Sequence, residues 1–229
     1  DKEKLTESIN FTSNFHTQIL KTLFSKNHEI HEKINLLFGK LIDFLTHNHS
    51  DDYDYLYDQI VCYGELLSTT IVSEYLNDVG ISNSWRDARE LVITDAVFRD
   101  ASVNWVETEK RIKTEVDTSI TTIVQGFIAG DSIGNTTTLG REGSDFTAGI
   151  FSYCLDAESL TIWKDVSGVL NADPREFKDP QLLEQISYEE TIEMAFYGAS
   201  VIYPKTIKTI QNKKIPLIVR SCKNLNSKG

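Results

Sequence analysis

A β-rich run, Thr121-Thr122-Ile123-Val124-Gln125-Gly126-Phe127-Ile128, passes through a glycine-rich loop straight into an amphipathic helix over residues 144–155. Short strands that alternate with helix-length segments have few ways to bury both kinds of apolar face. They build a mostly parallel sheet covered by helices on both sides. The alternation recurs along the chain. A short strand is predicted over 83–88, a helix over 104–116, a strand at Leu160-Thr161-Ile162-Trp163, and another at Leu217-Ile218-Val219 behind Pro216. Ser187 with Glu190 forms a capping box, opening a helix with Ile192, Ala195, Phe196 and Ala199 on one face. Pro204 opens a further helix, because its fixed φ suits a first turn. The expectation is an α/β fold: a three-layer αβα sandwich around a mostly parallel open sheet. Ligands of such sheets bind beyond the carboxyl ends of the strands.

The N-terminal side reads differently. Residues 2–24 and 26–47 predict two long helices, the second carrying the stripe Leu37, Leu41, Phe44 and Leu45. A loop at His47-Asn48-His49-Ser50-Asp51-Asp52 follows, then a helix from Tyr55 to Asn77 that stops at Gly80. Residues 1–54 are therefore a helical lobe, and 55–229 the core of a single 1–229 domain. His47 and His49 with Asp51, Asp52 and Asp54 fix no coordination geometry in a loop, so no metal site is assigned to the chain. Asp173-Pro174 and Asp179-Pro180 suit turns.

The formal net charge of −11 disfavours nucleic acid as a partner. Residues 204–229 hold seven basic residues and no acid, which suits a solvated face or an anion site; aromatic residues do not interleave with the lysines as stacking on bases requires. No apolar run approaches the ~20 residues of a membrane helix, and the first 20 residues are too polar for a secretory signal. Cys62, Cys154 and Cys222 are widely spaced, which suits a reducing compartment; the chain reads as cytoplasmic.

Five of the 12 glycines fall between Gly126 and Gly143. Glycines let backbone N–H groups approach a ligand closely. The start of the following helix adds unpaired donors and a partial positive charge. Arg141 adds a planar fork for a carboxylate or phosphate. The combination is an anion cradle, with a hairpin plus a capped helix as the alternative. Neither the usual phosphate loop nor the dinucleotide fingerprint is present. Glu65, on a helical stripe with Val61, Ser68 and Val72, could receive a ligand ammonium or sit as a snorkelling surface glutamate. Trp163-Lys164-Asp165-Val166-Ser167-Gly168 leaves a strand end where a nucleotide would lie.

Taken in order, several segments resemble the aspartokinases of the amino-acid kinase superfamily. They are Tyr63-Gly64-Glu65-Leu66-Leu67-Ser68, Asp87-Ala88-Arg89, Gly126-Phe127-Ile128 and Thr136-Thr137-Thr138-Leu139-Gly140-Arg141-Glu142-Gly143-Ser144-Asp145. Ile162-Trp163-Lys164-Asp165-Val166, Ala172-Asp173-Pro174-Arg175, Ile186-Ser187-Tyr188-Glu189-Glu190 and Phe196-Tyr197-Gly198-Ala199-Ser200-Val201 continue the series. The likeness runs from about residue 55 to the end. It implies ATP-dependent phosphorylation of the L-aspartate side-chain carboxylate to 4-phospho-L-aspartate, with Mg²⁺ carried on the nucleotide, and a homodimer. By the same resemblance Glu65, Arg141 and Ser144 would bind aspartate, and Asp145 and Arg141 would act in catalysis; Lys164 joins the catalytic set on its charge. Gly140, Gly143, Lys164, Asp165, Leu170, Arg175, Ser200 and Val201 would line the ATP site. A carboxylate nucleophile with a pKa of about 3.9 is already ionised at pH 7 and needs no general base; all five His precede residue 50.

The chain departs from the family pattern in three places. The family's Lys-Phe-Gly-Gly phosphate loop is missing, so the sequence is expected to be incomplete at its N-terminus. Glu142 replaces a glycine of the usual Gly-Arg-Gly-Gly-Ser-Asp, and Ser200 replaces a lysine. Lys164, where many family members carry Thr, is a candidate for the lost charge. The C-terminal ACT regulatory domains are also absent from the sequence. The alternatives are a kinase of another acidic metabolite, such as glutamate or N-acetylglutamate, and a non-catalytic subunit that binds nucleotide or effector.

Overall fold

Helix propensity and apolar stripes set the first three elements of the computed structural model, which describes residues 2–166, 168–173, 176–197 and 201–226. They are α1 (Lys2–Leu23), α2 (Ile30–His47) and α3 (Tyr53–Asp78). Leu20, Phe24, Ile30, Ile34, Phe38, Leu67 and Ile71 interlock where the three helices meet. Asp52 caps α3 by accepting from the Asp54 and Tyr55 amides at 3.0 and 3.3 Å. One carboxylate of the His/Asp loop is thus a helix cap. Another, Asp54, accepts from Arg99 Nη1 at 3.0 Å.

The rest alternates as expected: β1 (Asn83–Arg86), α4 (Ala88–Leu91), α5 (Trp105–Glu115), β2 (Thr121–Val124), β3 (Ile128–Gly130), β4 (Thr136–Thr138), α6 (Gly143–Cys154), β5 (Leu160–Lys164), α7 (Tyr188–Phe196), α8 (Pro204–Gln211) and β6 (Leu217–Ser221). β1 pairs with β2 in parallel, Asn83 opposite Thr121, and β5 with β6 in parallel, Leu160 opposite Leu217. β3 and β4 form an antiparallel hairpin, Ile128 opposite Thr138.

β3 shows why the molecule is layered. Successive strand side chains face opposite ways. Ile128 joins Cys62 and Leu66 of α3, whereas Ala129 joins Ile112 of α5 and Phe146, Ile150 and Cys154 of α6. Helices therefore cover both faces of this strand. A third apolar cluster, with Ile162, Ile207, Ile210 and Val219, seals α8 onto β5 and β6.

Two local expectations change. The run 121–128 is not one strand: β2 ends at Val124, and Phe127 turns the chain with a φ of +71°. The glycine-rich stretch is partly strand. Thr136, Thr137 and Thr138 are buried in β4, and their polar atoms have distant partners. Gln59 accepts from the Thr136 amide at 3.0 Å and donates to its carbonyl at 2.7 Å. Thr137 Oγ1 meets Thr94 Oγ1 at 2.6 Å. The buried Asp58 carboxylate accepts from the Thr138 amide (2.9 Å), the Thr138 hydroxyl (2.8 Å) and the Arg99 amide (2.9 Å). Asp58→Ala leaves three donors without an acceptor in a dry interior. It should lower unfolding stability by about 3 kcal/mol, read from the urea midpoint at unchanged m-value.

Candidate functional site

The turn Leu139-Gly140-Arg141-Glu142-Gly143 joins β4 to α6, and neighbouring backbone fixes its shape. The Leu139 amide donates to the Phe127 carbonyl at 2.9 Å, and the Gly143 amide to the Gly140 carbonyl at 3.1 Å. Gly140 has a φ of +77°, and a Cβ there would lie 2.7 Å from Asp100 Oδ1. A Cβ on Gly143 would lie 2.7 Å from the Phe127 ring. Gly140 thus requires glycine for its conformation, and Gly143 for space. Thr147 braces the helix start: its hydroxyl donates to the Gly143 carbonyl at 3.0 Å and accepts from the Phe127 amide at 2.9 Å.

This turn presents Arg141 and Ser144 to solvent. Among the described residues Arg141 has no ion pair. The first turn of α6 supplies amides with no intrahelical acceptor. Gly126 lies directly beneath, since a Cβ on it would be 2.8 Å from Ser144 Cβ.

From Gly126 a chain of contacts leads to Glu65. Gln125 Nε2 donates to Thr69 Oγ1 at 2.8 Å, and Thr69 Oγ1 donates to the Glu65 carbonyl at 2.8 Å. Trp85 Nε1 also donates to Thr69 Oγ1, at 3.1 Å. The Glu65 carboxylate is half-buried and has no ion-pair or hydrogen-bond partner among the described residues. Burial pushes its pKa above the usual glutamate value, with no opposing charge to bring it back.

Lys164, the last residue of β5, reaches the other side of the helix start. Its Nζ lies 2.8 Å from Asp145 Oδ2 and 3.2 Å from Glu142 Oε2. Burial alone would lower its pKa, but the two carboxylates together outweigh burial and raise it, so the ammonium is firmly charged. The side chain is only 18% exposed. Lys164 is therefore no solvent-facing strand end, and Glu142 is held by a cation.

Gly140, Arg141, Gly143, Ser144, Asp145 and Lys164 thus converge on one helix start, with Glu65 linked to it through Thr69, Gln125 and Gly126. Other expected positions lie further along. Asp165 is exposed, 3.7 Å from Lys223. Leu170 is half-buried and bridges Leu182. Val201 packs on the apolar cluster of α8, β5 and β6. Arg175 and Ser200 lie outside the described residues. Glu142, Gln125 and Thr69 escape the sequence reading as site residues. For Glu142 the available signal was the unusual lysine at 164. Cys62 and Cys154 are buried thiols pushed up to about 11 by desolvation, and so are packing groups rather than nucleophiles.

The profile of the amino acid kinase family matches residues 8–221. The chain belongs to the amino acid kinase family. The match takes in α2 and most of α1, beyond the segments whose likeness begins near residue 55. A bifunctional aspartokinase/homoserine dehydrogenase 1 of Arabidopsis thaliana chloroplasts is 38% identical over 176 residues, covering 75% of this chain and 19% of that protein. A bifunctional aspartokinase/homoserine dehydrogenase of Buchnera aphidicola is 33% identical over 226 residues, covering 96% of this chain and 26% of that protein. The crystal structure of E. coli aspartokinase III in complex with aspartate and ADP superposes with a TM-score of 0.90 at 30% identity. That likeness covers 99% of this chain and 51% of the E. coli chain. This amino acid kinase chain thus spans about half the solved relative and a smaller share of the bifunctional ones. Among the described residues no helix is long and apolar enough to cross a membrane.

The strained protonation of Glu65 has a measurable signature. Its folded pKa is raised, so the native state holds the proton more tightly than the unfolded chain. The group favours folding below the ordinary glutamate pKa, and that contribution is lost as pH rises through the raised value. Glu65→Gln should therefore raise the melting temperature of the unliganded chain at pH 7, by about 1–2 °C. The difference should vanish near pH 4 in scanning calorimetry.

Proposed function

We propose that this chain phosphorylates the side-chain carboxylate of L-aspartate with ATP, forming 4-phospho-L-aspartate. One observation carries the reading. An exposed guanidinium and a half-buried carboxylate, each without a charged partner among the described residues, belong to segments linked to one glycine-rich helix start. An α-amino acid offers the complementary pair, a carboxylate for Arg141 and an ammonium for Glu65. The E. coli relative, solved with aspartate and ADP, supports the choice of substrate and nucleotide.

In this reading Arg141 binds the substrate α-carboxylate and Glu65 its ammonium, with Ser144 beside them. The ionised side-chain carboxylate attacks the γ-phosphorus. One O–P bond forms, the bond to the β,γ-bridging oxygen breaks, and ADP leaves with that electron pair. No proton moves in the step. Catalysis then reduces to alignment and charge neutralisation. The amides of the first turn of α6 and the Lys164 ammonium face the developing charge, while Asp145 orients Lys164. Gly140 and Gly143 let the backbone come close. Asp165, Leu170, Arg175, Ser200 and Val201 complete the nucleotide side. Asp145 and Glu142 are both engaged by Lys164, so the donor set suits a Mg²⁺ held chiefly by phosphate oxygens and water, where it would neutralise phosphate charge. The three free cysteines suit a cytoplasmic protein, and we place the chain, with its 1–54 lobe and 55–229 core, in a homodimer.

The test is acyl-phosphate formation, trapped with hydroxylamine, using aspartate, glutamate and N-acetylglutamate as acceptors. Product with aspartate alone is expected; product only with another acid would reassign the substrate. Arg141→Ala should raise the KM for aspartate about 30-fold or more, because cutting one partner of a desolvated carboxylate contact typically removes 2 kcal/mol or more. Unchanged aspartate affinity would remove Arg141 from the site. Lys164→Thr should raise the KM for ATP or lower kcat; steady-state constants equal to the parent's would exclude Lys164 from the reaction.

A further inference from the structure

The geometry points to Glu142 as a positioning residue that parks the Lys164 ammonium at the start of α6 and surrenders it to an arriving phosphate group. This inference rests on the reading of the cleft as a nucleotide site, and it assigns work to a residue outside the expected aspartate and ATP contacts.

Three observations converge on Glu142. It occupies the N-cap of α6 with φ 54° and ψ 32°, a left-handed conformation that side chains with a Cβ resist. Ser, Thr, Asp or Asn at that position caps the helix amides with its side chain; Glu142 makes no such bond. Its carboxylate instead reaches Lys164, 22 positions away in sequence, at 3.2 Å. With a strained position and no cap, the side chain's one interaction among the described residues is with Lys164.

The two carboxylates on Lys164 are not equivalent. Asp145 is the inner partner, closer at 2.8 Å and 13% exposed. Glu142 is the outer one, at 3.2 Å and 38% exposed. Two carboxylates and one ammonium leave the cluster with a net negative charge beside the amides of a helix N-terminus. Those amides and that ammonium are the groups a phosphate seeks. Glu142 therefore stands in for the phosphate in the resting protein. Asp145 keeps hold of Lys164 when the outer contact is exchanged, so the lysine needs little movement to meet the nucleotide. The arrangement weakens nucleotide binding, because the incoming anion must displace Glu142 and bind beside its charge.

The experiment is calorimetric titration of the full chain with the non-hydrolysable β,γ-imido analogue of ATP and Mg²⁺, for the parent and three variants. Glu142→Gln removes the charge and keeps the shape. Glu142→Gly removes the charge and relaxes the backbone. Glu142→Asp keeps a carboxylate. Both neutral variants should bind the analogue about 2- to 5-fold more tightly, an effect of the size expected for one partly exposed charge, and the Asp variant should lie closer to the parent. In a Lys164→Met background the Glu142→Gln gain should shrink, because no ammonium remains to be released. A purely structural role predicts that Gln and Gly change the melting temperature differently and leave the affinity alone. Unchanged or weaker binding in both neutral variants overturns the proposal. A full gain retained without Lys164 also overturns it, reducing Glu142 to simple repulsion. If the parent itself fails to bind the analogue, the nucleotide reading falls first and takes this inference with it.

Discussion

The buried carboxylate of Asp58 ties together the parts on which the site depends. It accepts three hydrogen bonds, two from Thr138 and one from the Arg99 amide. It thereby pins α3 to the end of β4 and to the loop carrying Asp100. Gly140 sits against Asp100 and Arg99, two residues beyond Thr138, so the same node sets the geometry of the turn that presents Arg141. Burial raises the Asp58 pKa, and the donated hydrogen bonds work against that rise. A charge in a dry interior persists when its acceptor capacity is filled. Asp58 also lies on one stripe of α3 with Cys62, Glu65 and Thr69, spaced as a single helix face. Fixing Asp58 therefore fixes the height and rotation at which Glu65 meets the sheet. The helix and the hairpin approach the site as one unit.

The elements legible in the sequence are those whose cause is local. The Ser187/Glu190 capping box is present as read, with both reciprocal bonds. Pro204 opens α8, and α6 begins where the glycines end. What stayed hidden has its cause elsewhere in the chain. Thr136-Thr137-Thr138 looked like turn residues because threonine is common in turns. They form a buried strand because Gln59, Asp58 and Thr94 satisfy them, from 77, 80 and 43 residues away. The run 121–128 looked like one strand because its β propensity is unbroken. It divides because Gln125 turns inward to accept from the Ala88 amide and donate to Thr69, and Phe127 adopts a positive φ under Gly143. Glu65 is a candidate from its stripe, but only its burial and its lack of a partner among the described residues separate it from a surface glutamate.

Charge presents a related problem. The chain carries a net −11, yet the proposed substrates are anions. At ordinary ionic strength charges beyond about 10 Å are largely screened. The overall acidity therefore slows encounter more than it opposes binding once a ligand is in place. Retention depends on charges at contact distance, which here are Arg141, Lys164 and the α6 amides. Much of the basic C-terminal segment is engaged away from this cleft. Lys213 donates to the Tyr153 carbonyl at 2.6 Å and pairs with Asp156, and Arg220 stacks over Trp163. Those residues secure helices and strand ends rather than adding to the field at the site.

The departures at 142 and 164 therefore make physical sense as a pair. A glutamate alone at the N-cap of α6 would set an uncompensated negative charge against the phosphate path. A lysine alone at the end of β5 would have only Asp145 to hold it, and would be free to bind product as firmly as substrate. Together they neutralise one another at rest and separate when a stronger anion arrives. The two positions are 22 residues apart on different elements, so nothing in either local segment announces the pairing. It follows from β5 running antiparallel to α6, which brings the strand's carboxyl end and the helix's amino end to the same rim. In a parallel α/β fold that rim gathers helix dipoles of one sign. A side-chain anion–cation pair placed there is therefore where an exchange for phosphate meets the least resistance.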